Sequence, residues 1–545
     1  MDEIIESKPS LPPAPVTNDA TKPMPAPHPF TPRLAIGLIG VLVASLASGL
    51  NDRVTDVALP DVRGILGMGH DEGTWISSVY EAGEVSGMMV AAWFAVTFSF
   101  RRFAVGVSLT FAALALVFPF VHDFAWLVVL RACQGFVGGL LPPLLMTAAL
   151  RFLPPKIKLY GLGAYALTAT FGPNLAISLA ALWTDTVAWQ MVYWQVIPPC
   201  LIAACLIAYG LPQDPLRLDR FRQFDWIGVA AGCTGIAMLI LGLEQGERLD
   251  WFNSQLIVSL LAGSAVLLIV FLLNEWFHPL PLFKLQLLGR RNFSHGLLTL
   301  SGLMILAMSG SALPSAYLSE IQGYRPLEIG PLALTIALPQ LVLAPLAAAI
   351  CNLRQIDSRW ILASGLALLA GSCVAGSFVT SDWIRHNFYV LQAMQALGLP
   401  LAVLPVLMGA TGAVQPMEGP FASAIFNTTR GLATIIGAVF VDAFLIHREH
   451  FHSNVLVDHV GRSLPLLSQA TTSIGMHAAP LLPDGTTKSR ATLGAFAELV
   501  SHQATVLSVA DTYFVLIGLA VVLAIVLCVL PQRAYPPSAP RPASK

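Results

Sequence analysis

Four carboxylates and an arginine lie within the first two apolar segments of the chain. Asp52, Arg53 and Asp56 come late in the first segment, and Glu81 and Glu84 come early in the second. Charged groups are costly inside a membrane, so they usually mark a path for ions or substrates. Buried carboxylates can bind and release protons, although a static network of ion pairs bracing the helices would use the same residues. The pattern predicts proton-binding chemistry, with a structural brace as the alternative.

The spacing of these acids indicates where they meet. Asp52 and Asp56 are four residues apart, and Glu81 and Glu84 are three apart, so each pair shares one helix face. Consecutive spanning segments run in opposite directions, which places the end of the first at the depth of the start of the second. Arg131, early in the fourth segment, reaches the same depth. We therefore expect one proton-coupling cluster, made of Asp52, Asp56, Glu81, Glu84 and Arg131.

The composition limits what surrounds this cluster. The 545-residue chain is 55% hydrophobic and 11% charged, whereas soluble domains carry roughly 25% charged residues. About fourteen stretches reach the roughly 20 apolar residues that span a bilayer as a helix. The expected fold class is an all-α integral membrane protein in contact with the lipid bilayer. The sequence has no phosphate-binding glycine loop, paired cysteine motif or nucleophile–base set. We therefore expect no enzyme activity, cofactor, bound metal or nucleic-acid partner.

The loops between the apolar segments predict the topology. Basic residues are concentrated in every second loop, for example Arg101 and Arg102 in one, then Arg151, Lys156 and Lys158 in another. Cytoplasmic loops of membrane proteins are enriched in lysine and arginine. An even number of helices, with both termini in the cytoplasm, satisfies this pattern.

The fourth segment carries the sharpest motif. Arg131, Gln134 and Gly135 form an Arg-x-x-Gln-Gly pattern, and Gly139 follows one turn later. Glycines at this spacing allow two membrane helices to approach closely. The motif resembles that of the major facilitator superfamily, in which the arginine of the fourth helix is linked to proton coupling. The resemblance implies that role for Arg131.

Further matches resemble the fourteen-helix drug:proton antiporter family of the EmrB/QacA type. They are Val57-Ala58-Leu59-Pro60, Gly73-Thr74-Trp75-Ile76, Phe171-Gly172-Pro173 and Asn427-x-x-Arg430. The resemblance implies export of amphipathic or organic small molecules, such as drugs, in exchange for protons across the cell (inner) membrane. In Gram-negative bacteria it also implies a periplasmic membrane-fusion adaptor and an outer-membrane channel as partners.

The same resemblance implies a major facilitator fold with two six-helix bundles and two extra helices. The predicted regions are a disordered cytoplasmic tail (1–33), the N-terminal bundle (34–210), a linker with the two extra transmembrane helices (211–292), the C-terminal bundle with a long outer loop at 447–507 (293–530), and a second disordered tail (531–545). The tails are rich in proline and polar residues, which cannot form a packed core.

The chain departs from the family pattern near the acids. Asn51 stands where the family has aspartate, Arg53 replaces a threonine, and Asp56 replaces an asparagine. The loop after the second segment keeps a basic end but lacks the acidic residue of the family motif. Proton-coupled uptake of a specific metabolite is therefore an alternative to export. A membrane-embedded sensor or enzyme is a further alternative, which no motif favours.

Other polar residues in apolar segments are candidates for a substrate cavity, although bonds between helices would explain them as well. The cavity candidates are Asn51, Gln134, Gln340, Asn427 and Arg430. Helix bending or close packing is expected at Gly135, Gly139, Gly172 and Pro173.

Overall fold

The computed structural model describes residues 30–415, 418–462, 489–529 and 533–537, and these ranges contain helices, turns and loops without a strand. Most of the two predicted tails and the centre of the predicted outer loop fall outside the described residues. Thirteen helical stretches are long and apolar enough to cross a membrane. The second helix, His70–Thr97, has 28 residues and carries Glu81 and Glu84, and with it the described chain has the fourteen spans expected.

The spans are numbered in chain order. The first six are Pro32–Leu66, His70–Thr97, Phe100–Val117, Phe124–Gly139 with Leu141–Phe152, Lys158–Leu182, and Met191–Trp194 with Ile197–Gly210. The seventh and eighth are Trp226–Glu244 and Gln255–Phe277. The last six are Arg291–Ala307 with Ala312–Glu320, Pro326–Cys351, Ser358–Gly376, Arg385–Gly412, Gly419–Arg462 and Ser489–Val529. The membrane end where the first span begins and the last one ends is called the termini side, and the opposite end the far side.

A tight turn on the far side joins the first two spans. The first span begins after Thr31, whose hydroxyl accepts a hydrogen bond from the amide of Leu34, and it ends at Gly67. Gly67 has a φ of 67°, a left-handed conformation that glycine adopts without the cost of a Cβ. His70 then starts the second span, which runs back antiparallel to the first. This turn places the late residues of the first span opposite the early residues of the second.

Glycines bring the second and fourth spans into backbone contact. A Cβ at Gly135 would overlap the carbonyl of Tyr80, and one at Gly139 would overlap the carbonyl of Glu84. Both positions therefore act as the close-packing sites that the sequence predicts. Gly172 differs, because a Cβ there would meet nothing within 4 Å. The fifth span also continues as a helix through Pro173, so this pair forms neither a close contact nor a helix break.

The seventh and eighth spans pack on each other and on the second span. A Cβ at Gly232 would lie 2.7 Å from Met89 of the second span and 2.8 Å from Phe271 of the eighth. Ser86 of the second span donates a hydrogen bond to the carbonyl of Cys233 at 3.1 Å. The two helices are therefore attached to one face of the protein through the second span.

The last two spans extend well beyond a bilayer on the far side. Gly419–Arg462 has 44 residues and Ser489–Val529 has 41, whereas a membrane helix needs about 20. The sequence predicted a loop over 447–507, but 447–462 and 489–507 are helical and continuous with the spans. Arg448, at the start of one extension, pairs with Asp511 of the last span. The remaining part of the predicted loop, 463–488, lies outside the described residues.

Candidate proton and substrate site

Arg53 is the centre of the predicted carboxylate cluster. Its guanidinium lies 3.6 Å from Asp52, 3.5 Å from Asp56 and 3.9 Å from Glu81. Carboxylate oxygens of these three acids lie within 4.8 Å of one another. The antiparallel turn after the first span thus brings the acids together, as the spacing predicted. Arg53 supplies the positive charge that makes this arrangement possible inside a membrane.

The cluster is largely shielded from solvent. Asp52 is 4% exposed and Glu81 is 7% exposed, while Asp56 is half-buried. Ser77 of the second span donates a hydrogen bond to Asp56 at 2.7 Å. No hydrogen-bond donor among the described residues reaches Oδ1 of Asp52. A single guanidinium therefore faces more carboxylates than it can neutralise.

Arg131 lies near the cluster without an ion pair to any of its acids. It is completely buried, donates to Oε1 of Gln134 at 2.9 Å, and stacks 4.1 Å from the ring centre of Tyr80. Within the described ranges no carboxylate comes within ion-pair distance of its guanidinium, and its Nε and Nη2 atoms have no hydrogen-bond partner. Arg131 interacts electrostatically with Asp52 and Glu84, and its role in proton coupling stays a prediction. Arg53, on the same helix as two of the acids, makes the direct ion pairs.

Glu84 lies near three arginines. It is half-buried and interacts electrostatically with Arg53, Arg131 and Arg430 of the thirteenth span. None of these arginines is within ion-pair distance of Glu84 among the described residues. Glu84 therefore shares the field of the cluster without a direct ion pair.

A second set of polar side chains joins the fifth span to the thirteenth. Tyr165 of the fifth span donates to Oδ1 of Asn427 at 3.0 Å. Arg430 donates to Thr168 at 3.0 Å and lies 5.2 Å from the ring centre of Tyr165. Two of the predicted cavity residues, Asn427 and Arg430, thus form a bridge to the fifth span.

Four of the five predicted cavity residues are fully buried in this conformation. Asn51, Gln134, Gln340 and Asn427 each have 0% exposure, and Arg430 is half-buried. Gln340 donates to the backbone carbonyl of Ala396 at 3.0 Å. Gln340, Asn427 and Arg430 make contacts between helices, whereas Gln134 accepts a hydrogen bond from Arg131 of its own helix. Substrate binding by the five residues remains a prediction.

The first six spans contact the last six spans near the termini side. Ser423 of the thirteenth span donates to the carbonyl of Pro143 at 2.8 Å, and Gly163 of the fifth span faces Leu404 of the twelfth. On the far side, Arg325 pairs with Asp185 at 2.9 Å. The termini-side contacts involve the fourth, fifth, twelfth and thirteenth spans, so they would have to separate for a path to open there.

An ionic clamp reinforces the termini side. Glu418, just before the thirteenth span, accepts hydrogen bonds from Lys284 and Arg290, each at 2.6 Å. Burial favours a higher pKa for the Glu418 carboxyl, but the hydrogen bonds from Arg290 and Lys284 outweigh it and lower the pKa to about 2. The clamp ties the segment before the ninth span to the start of the thirteenth.

Sequence reasoning missed several members of these groups. The central role of Arg53 could have been found, because it stands between Asp52 and Asp56 in the sequence. Ser77 and Tyr165 carry no such signal, since a single hydroxyl in an apolar helix is common. Glu244, at the end of the seventh span, interacts electrostatically with Glu81 and was hidden by its place in a predicted linker.

The comparisons with known proteins agree with this architecture. A family model described as "Major Facilitator Superfamily" matches residues 41–327, which is more than half of the chain. The chain belongs to the Major Facilitator Superfamily. It is thus a multi-pass membrane transporter of small molecules and not an enzyme.

Individual relatives and solved structures are also similar to this chain. The chain is 23% identical over 492 residues to "Multidrug export protein EmrB" of Escherichia coli (strain K12), covering 90% of this chain and 94% of that protein. It is 26% identical over 416 residues to "Puromycin resistance protein pur8" of Streptomyces alboniger, covering 75% and 82%. The crystal structure of the human organic anion transporter MFSD10 aligns with a TM-score of 0.52 at 11% identity, over 90% of this chain and all of that one. This last similarity confirms the fold alone.

Proposed function

We propose that the protein exports amphipathic or organic small molecules, drugs among them, in exchange for protons. The main observation behind this proposal is the cluster of three carboxylates around Arg53. The relatives of the chain are named for multidrug export and puromycin resistance. Arg53 faces three carboxylates, so uptake of a proton by one of them relieves repulsion among the others. Release of that proton restores the repulsion and changes the contacts between the first two spans.

Substrate would bind between two six-helix bundles, 34–210 and 293–530, and meet each membrane surface in turn. Asn427 and Arg430 are suitable substrate contacts, because they lie on the thirteenth span where it meets the fifth. Opening towards the termini side would break the bond between Tyr165 and Asn427. We propose the proton-coupling role for the five residues named from the sequence, and substrate contact for the five cavity residues.

Proton coupling can be tested with ethidium as a model organic cation. Glu81→Gln and Asp52→Asn should abolish ethidium transport driven by a pH gradient in proteoliposomes. Counterflow, which exchanges substrate without net proton movement, should persist. Asp219→Asn is the matched control, because Asp219 is an exposed carboxylate in the loop after the sixth span. Normal pH-driven transport by both cluster variants would refute the proposal.

Uptake of a specific metabolite is the second candidate. It is favoured by the departures at Asn51, Arg53 and Asp56 from the antiporter pattern. The direction of proton movement separates the two functions, since an exporter moves protons against the substrate and a symporter moves them with it. A fluorescent pH indicator trapped in the proteoliposomes would report this direction.

The proposed location is the cell (inner) membrane, with both termini in the cytoplasm. If the host is Gram-negative, a periplasmic membrane-fusion adaptor and an outer-membrane channel are the proposed partners. The helical extensions of the last two spans offer the adaptor a contact surface. Deleting 463–488 should weaken co-purification of an adaptor while transport in vesicles continues. Intact protein that retains no adaptor from its native membrane would identify a stand-alone exporter.

A further inference from the structure

A groove lies between the third and fourth spans near the termini side. Its volume is about 420 Å³, within the roughly 300–1,000 Å³ of typical small-molecule sites. The third span supplies Phe103 and Val107 to its walls, and the fourth span supplies Val137 and Leu140. These walls are apolar, so the groove is suited to a hydrocarbon chain.

The loop after the sixth span borders the groove. Leu216 of this loop lines the groove, and the backbone amide of the next residue, Arg217, donates to the carbonyl of Thr97 at 3.0 Å. This bond ties the loop to the last residue of the second span. Phe98, which follows that span, also lines the groove, and its ring centre lies 5.5 Å from that of Phe221 in the loop. The border on the termini side is therefore anchored to the second span.

Gly106 keeps the groove open along the third span. A Cβ at this exposed position would meet nothing within 4 Å. Arg102 and Thr110 line the groove on either side of it, and the helix rises about 12 Å between them at 1.5 Å per residue. The hydrocarbon of one bilayer leaflet is about 15 Å deep, half of the roughly 30 Å core. The groove thus follows one leaflet from the termini side towards the middle of the membrane.

The end of the groove on the termini side is positively charged. Among the described residues that line it, Arg102 alone is charged; it is exposed and forms no ion pair with a described carboxylate. Asp214, an acid of the adjoining loop, is already paired with Arg151 at 2.8 Å. A guanidinium binds phosphate through charge-assisted hydrogen bonds. The lining offers no carboxylate to the cationic group of a zwitterionic headgroup, so an anionic headgroup fits it better.

We infer that the groove binds an anionic phospholipid of the termini-side leaflet. The phosphate of this lipid lies on Arg102, and one acyl chain runs past Gly106 between the third and fourth spans. Through Leu216 the lipid also contacts the loop after the sixth span. The inference does not depend on the direction of transport or on the driving ion, so it is tested independently of the proposed function.

Native mass spectrometry of the full chain in detergent can measure this binding. The delipidated protein would be titrated with phosphatidylglycerol, or with phosphatidylcholine that carries the same acyl chains. Wild type should bind one phosphatidylglycerol more tightly than any phosphatidylcholine, because choline brings a positive charge to an end of the groove that is already positive. Equal affinity for the two lipids would overturn the inference.

Arg102→Gln tests the contact with the headgroup. The variant should bind phosphatidylglycerol about tenfold more weakly, because it loses a hydrogen bond between charged groups. Arg354→Gln is the matched control, since Arg354 is an exposed arginine on the same side of the membrane, after the tenth span, and it should bind as wild type does. Wild-type affinity in Arg102→Gln would overturn the inference. An equal loss in both variants would also overturn it, because general attraction by surface charge would then explain the binding.

Gly106→Leu tests the position of the acyl chain. The new side chain would fill the open groove, and the displaced methylene groups should lower the affinity for phosphatidylglycerol about tenfold. Gly518→Leu is the control, because Gly518 is also exposed on a membrane span and nothing lies within 4 Å of its Cβ. Both variants should melt as wild type does before lipid is added, which shows that they fold. Unchanged affinity in Gly106→Leu would overturn the inference.

Glycerol phosphate, which has the charged group without the chains, separates a lipid site from a simple anion site. Phosphatidylglycerol should raise the melting temperature of the delipidated protein, because a ligand that binds only the folded state stabilises it. Glycerol phosphate at the same concentration should leave the melting temperature unchanged. Equal stabilisation by the two compounds would overturn the assignment to a phospholipid.

Discussion

At the scale of single residues, the cluster depends on which arginine neutralises the acids. Arg53 contacts Asp52, Asp56 and Glu81, whereas Arg131 is buried with Gln134 and Tyr80. A buried guanidinium without a carboxylate is costly unless other groups compensate for it. Arg131 therefore acts on the cluster only through longer-range electrostatic interactions, whereas Arg53 makes ion pairs with the acids.

Arg53→Gln tests this division of roles. Breaking a buried ion pair by removing one partner costs about 3–5 kcal/mol. The Arg53 side chain is 27% exposed, so we expect a loss below that range. The variant should melt at a lower temperature and lose pH-driven ethidium transport, because three acids then face one another. Arg63→Gln, in the last turn of the same helix and without an ion pair to the cluster, should leave pH-driven transport unchanged. Wild-type transport by Arg53→Gln would show that the cluster does not need this cation.

The clamp at Glu418 predicts a defined pH dependence. A carboxyl with a lowered pKa stabilises the folded state above its unfolded pKa and loses that contribution as the pH falls through its folded value. The ordinary glutamate pKa is 4.5 and the folded value is about 2. Glu418→Gln should therefore melt below wild type at pH 7, and the difference should shrink between about pH 4.5 and pH 2. A difference that is independent of pH over this interval would exclude the ionic contribution. Thermal unfolding in detergent, followed by intrinsic fluorescence, measures it.

At the scale of helices, the second span is the common element of the site. It packs on the fourth span through glycines, on the seventh span through Ser86 and Cys233, and on the first span through the turn at Gly67. Its acids are positioned by all three neighbours. These contacts explain how the second span can lie inside the helix bundle although it carries more charged residues than a typical membrane span.

Gly139→Ala tests the close approach of the second and fourth spans. The added methyl would overlap the carbonyl of Glu84, and overpacking of this kind typically costs about 1–3 kcal/mol. Because the obstacle is backbone, no side-chain rotation relieves it. Gly172→Ala is the control, since nothing lies within 4 Å of its new methyl. We expect a lower melting temperature only for Gly139→Ala. Equal melting of the two variants would contradict the contact.

At the scale of the whole molecule, the fourteen spans of the described residues place the start of the first span and the end of the last span on one side of the membrane. The distribution of basic residues predicts that this side is the cytoplasm. The termini-side contacts and the Glu418 clamp would then close the path to the cytoplasm in this conformation. The carboxylate cluster, late in the first span and early in the second, would lie in the outer half of the membrane.

Cysteine labelling in intact cells tests this orientation. In a background without the seven native cysteines, Asp382→Cys and Asp219→Cys place single thiols in exposed loops on opposite sides. A membrane-impermeant maleimide should label residue 382 in intact cells and residue 219 only after permeabilisation. Labelling with the reverse pattern would invert the topology and place the clamp on the outer face.

The sequence alone determined the class of protein and the candidates for its chemistry. Long apolar segments, alternating basic loops and buried acids follow from local composition, because a helix satisfies its own backbone in a membrane. The meeting of Asp52, Asp56 and Glu81 also followed, since a tight turn makes consecutive spans antiparallel. Only the tertiary structure decided that Arg53, and not Arg131, pairs with the acids. It alone placed Asn427 against Tyr165, because this contact depends on how distant helices pack, which no local spacing encodes.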